Sequence, residues 1–382
     1  MKMKKILLMV PSLGMGGMER MLVNVANALS EKGYHVTVLN LTQDCEGIIS
    51  GLNAQVQYHK NVVPVKFFLH ASWKDFLKGN VRFLPYKYWT KFHSAKYLHK
   101  KYITEKYDTE IAFYTGYCVK IISGCSKDVR KIFWLHGEAW QMDGMIQGFW
   151  RQKTAEKAYL GFDKIICVSK RIEQDFYKRF GQRSNVTTIH NINDITAIQR
   201  RAEERLDIEK RGLTFVAVGR IDNAHKGFDR ILSAVARLNG GETAFSVWIV
   251  GNGKDFPLLE KQKDELGLEN VILWGNQDNP YKFIKHADVL ISSSHYEGYG
   301  LVVSEALILG KPVLATDTTG PAEILGNGAY GMVVENSEEG LYQGMKAFLD
   351  DGKLIDEYAQ KALLRKGFFA PETIVSEIEK IV

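Results

Sequence analysis

The chain has 382 residues, too many for one ordinary domain and enough for two with separate cores. Hydrophobic residues make up 45% of it and charged residues 25%, a globular composition that excludes disordered and collagen-like classes. The net charge of +6 hides an asymmetry: residues 1–195 hold 29 Lys/Arg against 16 Asp/Glu, a surplus of 13 cations, while the remainder hold 21 against 28, a surplus of 7 acids. The two halves therefore face different partners.

Four cysteines, Cys45, Cys118, Cys125 and Cys167, form no C-x-x-C pair and have no histidine at metal spacing, which points to a reducing, cytoplasmic setting without disulfides or zinc. The opening Met1-Lys-Met-Lys-Lys-Ile-Leu-Leu-Met-Val-Pro11 has an apolar run too short for a secretory signal and reads as a first buried strand. No stretch approaches the roughly 20 apolar residues of a membrane span.

Short apolar runs alternate with amphipathic stretches, the pattern of parallel strands with crossover helices. The first half offers strands at Lys5–Val10, His35–Leu41, Glu110–Phe113, Lys131–Leu135, Lys164–Val168 and Val186–Ile189. The second offers Leu213–Val218, Phe245–Val250, Val271–Trp274, Val289–Ser292 and Pro312–Thr316. Each set predicts one doubly wound α/β domain. A boundary near residue 192 follows from Asn191-Ile-Asn-Asp194 and the charged, seamless stretch Gln199–Arg211. Two such domains place the carboxyl ends of their strands across one cleft, where ligands of open α/β folds bind.

After the first strand, Pro11-Ser-Leu-Gly-Met-Gly-Gly-Met-Glu-Arg20 joins strand to helix through Gly14, Gly16 and Gly17, a loop that lets backbone and a helix N-terminus approach charge. It lacks the G-x-G-x-x-G spacing of a dinucleotide fingerprint, which argues against a dinucleotide-dependent oxidoreductase. Residues 60–106 carry eleven Lys/Arg, two acids (Asp75 and Glu105) and eleven aromatics, among them Phe67, Phe68, Trp73, Phe76, Trp89 and Phe92. That mixture suits an anionic lipid surface. A solvated helix pair with aromatics turned inward is the structural alternative, and no nucleic-acid motif accompanies the patch. Farther on, Leu135-His136-Gly137-Glu138 puts a histidine at a strand's carboxyl end, aimed at a cleft or held by a structural hydrogen bond.

In the second half, Val218-Gly-Arg-Ile-Asp-Asn-Ala-His-Lys-Gly-Phe-Asp-Arg230 offers Arg220 and Lys226 as a diphosphate clamp, arginine as a fork and lysine as a point charge. Val250-Gly-Asn-Gly-Lys-Asp255 is a glycine turn after a strand, either a ligand loop or a plain connection. Trp274, opening Trp274-Gly-Asn-Gln-Asp-Asn-Pro-Tyr281, is either a core residue or part of a base site. The strand Ala287-Asp-Val-Leu-Ile-Ser-Ser-Ser294 gives way to His295-Tyr-Glu-Gly-Tyr-Gly-Leu-Val-Val-Ser-Glu305-Ala-Leu, with Glu297 and Glu305 flanking a glycine loop that opens a helix. Gly298 and Gly300 leave backbone N–H groups uncovered toward an anion, and the two carboxylates are placed to accept from sugar hydroxyls.

This Glu-x7-Glu arrangement, followed by Gly310-Lys-Pro-Val-Leu-Ala-Thr316, resembles the retaining sugar-nucleotide-dependent glycosyltransferases of family 4, as does Gly16-Gly17-Met-Glu19-Arg20. The resemblance spans both halves and is strongest over residues 213–335. It implies the α/β GT-B fold, two doubly wound Rossmann-like domains facing across a cleft: 1–192 for the acceptor, 193–370 for the nucleotide sugar, and a last helix, 371–382, crossing back to the first domain. By the same resemblance, His136, Glu297, Arg220 and Lys226 are the catalytic set. Gly16, Gly17, Gly219, Gly251, Asn252, Gly253, Trp274, Gly298, Tyr299, Gly300, Leu301 and Glu305 bind donor, Glu305 at the ribose, and Glu19 and Glu138 are candidates for the acceptor. The spacing between Arg220 and Lys226 is one residue longer than the family's commonest pattern, which bears on the loop's shape.

The implied reaction moves a hexose or N-acetylhexosamine, with uridine diphosphate the expected carrier, to a hydroxyl of a lipid-linked saccharide or cell-envelope polysaccharide. Asp-x-Asp is absent from the chain, so no metal clamp and no cofactor is expected beyond the nucleoside-diphosphate sugar as co-substrate. An anionic membrane surface is the further expected partner, through the basic N-terminal half and on the inner face of the cell membrane, with no nucleic acid. An epimerase or hydrolase on the same fold, or a sugar-nucleotide-binding subunit without turnover, is the alternative.

Overall fold

Strand β1 (Lys5–Val10) is apolar along its whole length because both of its faces are covered: all but Lys5 are buried. It heads a seven-stranded sheet whose other strands are β2 (His35–Asn40), β3 (Gln57–Lys60), β4 (Thr109–Ala112), β5 (Arg130–Leu135), β6 (Lys164–Cys167) and β7 (Val186–Thr188). A second sheet is formed by β8 (Leu213–Val218), β9 (Phe245–Val250), β10 (Val271–Leu273), β11 (Val289–Ser292), β12 (Val313–Thr316) and β13 (Met332–Val334). The computed structural model describes residues 3–14, 16–41, 46–60, 90–137, 145–208, 210–241 and 243–382. Glu138, Cys45 and residues 61–89 of the basic aromatic stretch lie outside them.

Every strand pairing is parallel, and the strands run in the orders β3-β2-β1-β4-β5-β6-β7 and β10-β9-β8-β11-β12-β13. In each sheet the order reverses once, between β1 and β4 in the first and between β8 and β11 in the second. Connections on either side of such a point leave to opposite faces, which opens a crevice beyond the strands' carboxyl ends. Eleven of the thirteen strands coincide with the apolar runs of the sequence to within a residue or two. The two that the runs do not reveal, β3 and β13, are sheet edges: β3 is polar and mostly exposed, and β13 has three half-buried residues.

The chain divides into two compact units, Met1–His190 with Glu372–Val382, and Asn191–Pro371. In the first, helix Gly17–Glu31 buries Met21, Leu22, Val25, Ala26 and Leu29, one face at helical spacing, and packs against β2. Helix Pro371–Glu379 adds Ile374, Val375 and Ile378 to this unit's core, and Lys4 Nζ donates to the Val382 carbonyl at 3.2 Å. In the second, helix Phe228–Leu238 buries Ile231, Leu232, Ala234 and Val235 in one cluster with Leu341, Met345 and Phe348 of helix Glu338–Asp350. Among the described residues no helix is long and apolar enough to cross a membrane.

Candidate functional site

The loops that leave β8 and β11 are stapled together by their backbones. After β8 the chain passes Gly219 and Arg220, winds one helical turn at Asn223–Lys226, and escapes through Gly227 at φ +60°, where a Cβ would also lie 2.5 Å from the Ser293 carbonyl oxygen. Ser293 Oγ donates to the Lys226 carbonyl at 2.7 Å, and the His295 N–H donates to the His225 carbonyl at 2.8 Å. Arg230, buried in the following helix, donates to the Ser293 carbonyl and, at 2.9 Å, to Asn336 Oδ1; Asn336 Nδ2 in turn donates to the His295 carbonyl at 3.0 Å.

The staple brings Lys226 Nζ onto Glu297 Oε2 in a partly buried ion pair, with side chains 27% and 18% exposed. Each ion satisfies the other, and both remain within reach of solvent and of a ligand. Arg220 stands at the end of β8, exposed, and pairs with no carboxylate among the described residues.

Beyond Glu297 the loop turns into helix Leu301–Ile308 through Gly300 at φ +90°, and no side chain caps the helix. A helix start of that kind presents N–H groups and positive potential to an anion. The loop rests on the next connection: the Gly320 N–H donates to the Glu297 carbonyl at 2.9 Å, and a Cβ on Gly320 would fall 2.2 Å from the Tyr299 carbonyl. The Tyr299 side chain lies in the interior, beside Asn193 and Arg365, and burial drives its phenol pKa upward. Glu305, one helical turn along, is 3% exposed; the Tyr281 hydroxyl lies 3.5 Å from its Oε1. Its neighbour Ser304 donates to Asn193 Oδ1 at 2.9 Å.

At the end of β9, Gly251 and Gly253 have a packing reason to be glycine. A Cβ on Gly251 would sit 1.9 Å from the Gly219 carbonyl oxygen, and one on Gly253 2.2 Å from that of Ile221. The Gly219 N–H donates to Val250 and the Ile221 N–H to Asn252, both at 3.0 Å, so the two loops run in backbone contact. Asn252 is exposed between them. Trp274 packs on Phe283, with ring centroids 5.0 Å apart, and on Trp248 at 6.4 Å; its buried Nε1 meets no hydrogen-bond partner among the described residues.

In the first unit, Gly16 caps helix Gly17–Glu31, and the carboxylate of Glu19, in its first turn, lies against the Gly16 α-carbon. Glu19 thereby has a helix-capping position as well as its place in the loop. His136 follows β5 between Phe113, 4.6 Å away, and the parallel ring of Trp134, 6.2 Å away. The residue keeps a little exposed surface, but its Nε2 is buried with no hydrogen-bond partner among the described residues. Burial pushes its pKa down from 6.5 to about 3, so the imidazole is neutral and one ring nitrogen is available to a ligand hydroxyl.

Sequence reasoning does not single out Arg230, Ser293, Asn336, Tyr281 or Gly320. Arg230 is a cation buried with the apolar residues of its helix, among them Ile231, Ala234 and Val235. The others are ordinary polar or small residues whose partners are distant in sequence. Among the described residues no three His, Cys, Asp or Glu side chains converge as a metal-ligand set.

Two outcomes are expected from this geometry. Gly320→Ala drives a Cβ into the Tyr299 backbone and should cost about 2 kcal/mol or more in urea unfolding, whereas Gly352→Ala, with nothing within 4 Å among the described residues, should stay within about 0.5 kcal/mol of the parent. His136 binds its proton more weakly in the fold than in the unfolded chain, so its contribution to stability is complete above pH 6.5 and is lost as pH falls toward about 3. Unfolding midpoints measured from pH 7 to pH 4 should therefore fall less steeply in His136→Gln than in the parent, and equal slopes would contradict the burial of this imidazole.

Residues 15–196 match the family described as Glycosyltransferase Family 4, and residues 198–365 the family described as Glycosyl transferases group 1. The chain is 31% identical over 211 residues to the N-acetylgalactosamine-N,N'-diacetylbacillosaminyl-diphospho-undecaprenol 4-alpha-N-acetylgalactosaminyltransferase of Campylobacter jejuni, covering 54% of this chain and 56% of that one. It is 26% identical over 201 residues to the lipopolysaccharide core biosynthesis glycosyltransferase LpsE of Rhizobium meliloti, covering 52% and 57%. The chain thus spans little more than half the length of these curated relatives. The crystal structure of Anabaena HepE in complex with UDP-glucose superposes with a TM-score of 0.73 over 98% of each chain at 19% identity, a likeness of fold. The two family matches together cover both halves of the molecule, and the chain belongs to glycosyltransferase family 4, with the GT-B fold.

Proposed function

We propose that the protein transfers a hexose or N-acetylhexosamine, with retention at the anomeric carbon, from a uridine-diphosphate sugar to a hydroxyl of a lipid-linked saccharide or cell-envelope polysaccharide. The observation that carries the reading is the Lys226–Glu297 ion pair, formed where the strand order of the second sheet reverses. An incoming diphosphate competes with Glu297 for Lys226 and recruits Arg220. Glu297 is then released to accept from hydroxyls of the sugar.

In the reaction the bond from the anomeric carbon to the β-phosphate oxygen breaks, the acceptor oxygen bonds to the same carbon from the same face, and its proton passes to the departing phosphate. Negative charge accumulates on that phosphate. Arg220, Lys226 and the N–H groups at the start of helix Leu301–Ile308 stabilise it in place, and so take the part that a metal ion plays where carboxylate clamps exist. Glu305 receives the ribose hydroxyls. Gly219, Gly251, Asn252, Gly253 and Trp274 border the nucleotide, and Gly298 and Leu301 the phosphates. His136, kept neutral by burial, offers a ring nitrogen to a hydroxyl of the sugar. Gly16 and Gly17 serve the donor, and Glu19 and Glu138 are assigned to the acceptor.

Support for a lipid-borne acceptor comes from two relatives, one named for a diphospho-undecaprenol saccharide and one for lipopolysaccharide core biosynthesis, and from the cation surplus of the first half. The corresponding place of work is the cytoplasmic face of the cell membrane.

Consumption of a panel of sugar nucleotides by the purified protein tests the reading directly. Lys226→Ala should lower turnover of the preferred donor by about 10² or more while leaving the urea midpoint near that of the parent. Undiminished turnover in that variant would remove the clamp from the mechanism.

A further inference from the structure

Two large aromatic side chains stand out of the first unit side by side. Phe92 is 72% exposed and Trp150 54% exposed, their ring centroids are 4.9 Å apart in an edge-on contact, and Lys91 Nζ lies 5.2 Å from the centre of the Trp150 ring. Ile146 adds a third apolar side chain, 37% exposed. The two segments that carry them, residues 90–104 and 145–155, hold six Lys/Arg and no acid.

The pair is held by buried polar ties rather than by its own packing. Lys120, 7% exposed on helix Tyr117–Ile122, donates to the Gly148 carbonyl at 2.7 Å, to the Lys91 carbonyl at 3.4 Å and to the Thr90 carbonyl, and its ammonium stands 5.5 Å over the Phe149 ring. One buried cation thus binds both segments at their bases. Beside it the Tyr159 hydroxyl accepts from the Gly116 N–H at 2.7 Å and donates to the Met145 carbonyl at 3.0 Å, fixing the start of the second segment. Exposed aromatic rings with a lysine beside them, on segments that hold cations and no acid, have the chemistry of a headgroup interface.

We propose that Phe92 and Trp150, with the cations beside them, form a docking surface for an anionic lipid bilayer, the two rings seated at headgroup depth and Lys120 acting as the positioning residue that holds them together. It rests on the reading of the basic half as membrane-facing and takes nothing from the transfer chemistry. Trp150 lies outside the basic aromatic stretch marked by the sequence, so the surface joins two segments that composition does not connect.

The test is sedimentation with phosphatidylcholine vesicles made with and without phosphatidylglycerol, alongside calorimetric binding of uridine diphosphate. The protein should bind the phosphatidylglycerol vesicles, more weakly as salt is raised. The double variant Phe92→Ser, Trp150→Ser should lose about tenfold or more of that binding. Lys96→Glu with Lys153→Glu should lose a comparable share, and Lys120→Met should weaken it although that residue is buried. Affinity for uridine diphosphate should be unchanged in all of them, which also reports that they fold. Parent-like vesicle binding by the double variant overturns the docking surface. So do equal binding to neutral vesicles, binding to single-stranded RNA in preference to lipid, or no vesicle binding by the parent. Failure of the parent to bind uridine diphosphate would instead count against the donor reading and leave the docking surface standing.

Discussion

The Lys226–Glu297 pair is possible only because two loops that are 71 residues apart in sequence run in backbone contact at the reversal point of the second sheet. Three carbonyl groups, those of His225, Lys226 and Ser293, are spent on holding the loops to each other. Arg230 is committed as well: its guanidinium is buried, and its hydrogen bonds to Ser293 and Asn336 offset the cost of taking that charge out of water. With the backbone so fixed, Arg220 stands exposed at the end of β8, and Lys226 keeps part of its side chain in solvent while paired with Glu297.

The glycines belong to the same constraint. Gly251 and Gly253 let the β9 loop lie against the β8 loop, and Gly320 lets the turn after β12 lie against Tyr299. A row of connections at the carboxyl ends of β9, β8, β11 and β12 is thereby packed main chain to main chain. Such packing gathers peptide groups at the carboxyl ends of these strands, a surface suited to an anion.

The apolar runs made most of the fold legible, because strands buried on both faces must be hydrophobic throughout, and nine of the eleven strands so read are flanked by others on both sides. The edges β3 and β13 escape that rule: Gln57-Tyr-His-Lys60 faces water, and Met332–Val334 is too short to show a period. At the site, charged residues beside glycines were legible as candidates, and the family resemblance gave them roles. The supports were not, since Ser293, Asn336 and Tyr281 matter through partners that only folding brings near. Trp274 shows the limit from the other side: its half-buried ring packs in an aromatic cluster, as a core residue does, while its N–H meets no partner among the described residues.

Helix Pro371–Glu379 completes the hydrophobic interior of the unit that begins at the N-terminus. During synthesis on the ribosome the opening 190 residues emerge first, yet Ile374, Val375 and Ile378 reach them only after the whole of Asn191–Pro371 has been made. The half that is translated earliest is therefore the last to be finished. Until then it exposes an apolar strip to the cell, and the intervening half, contiguous in sequence, is free to fold first.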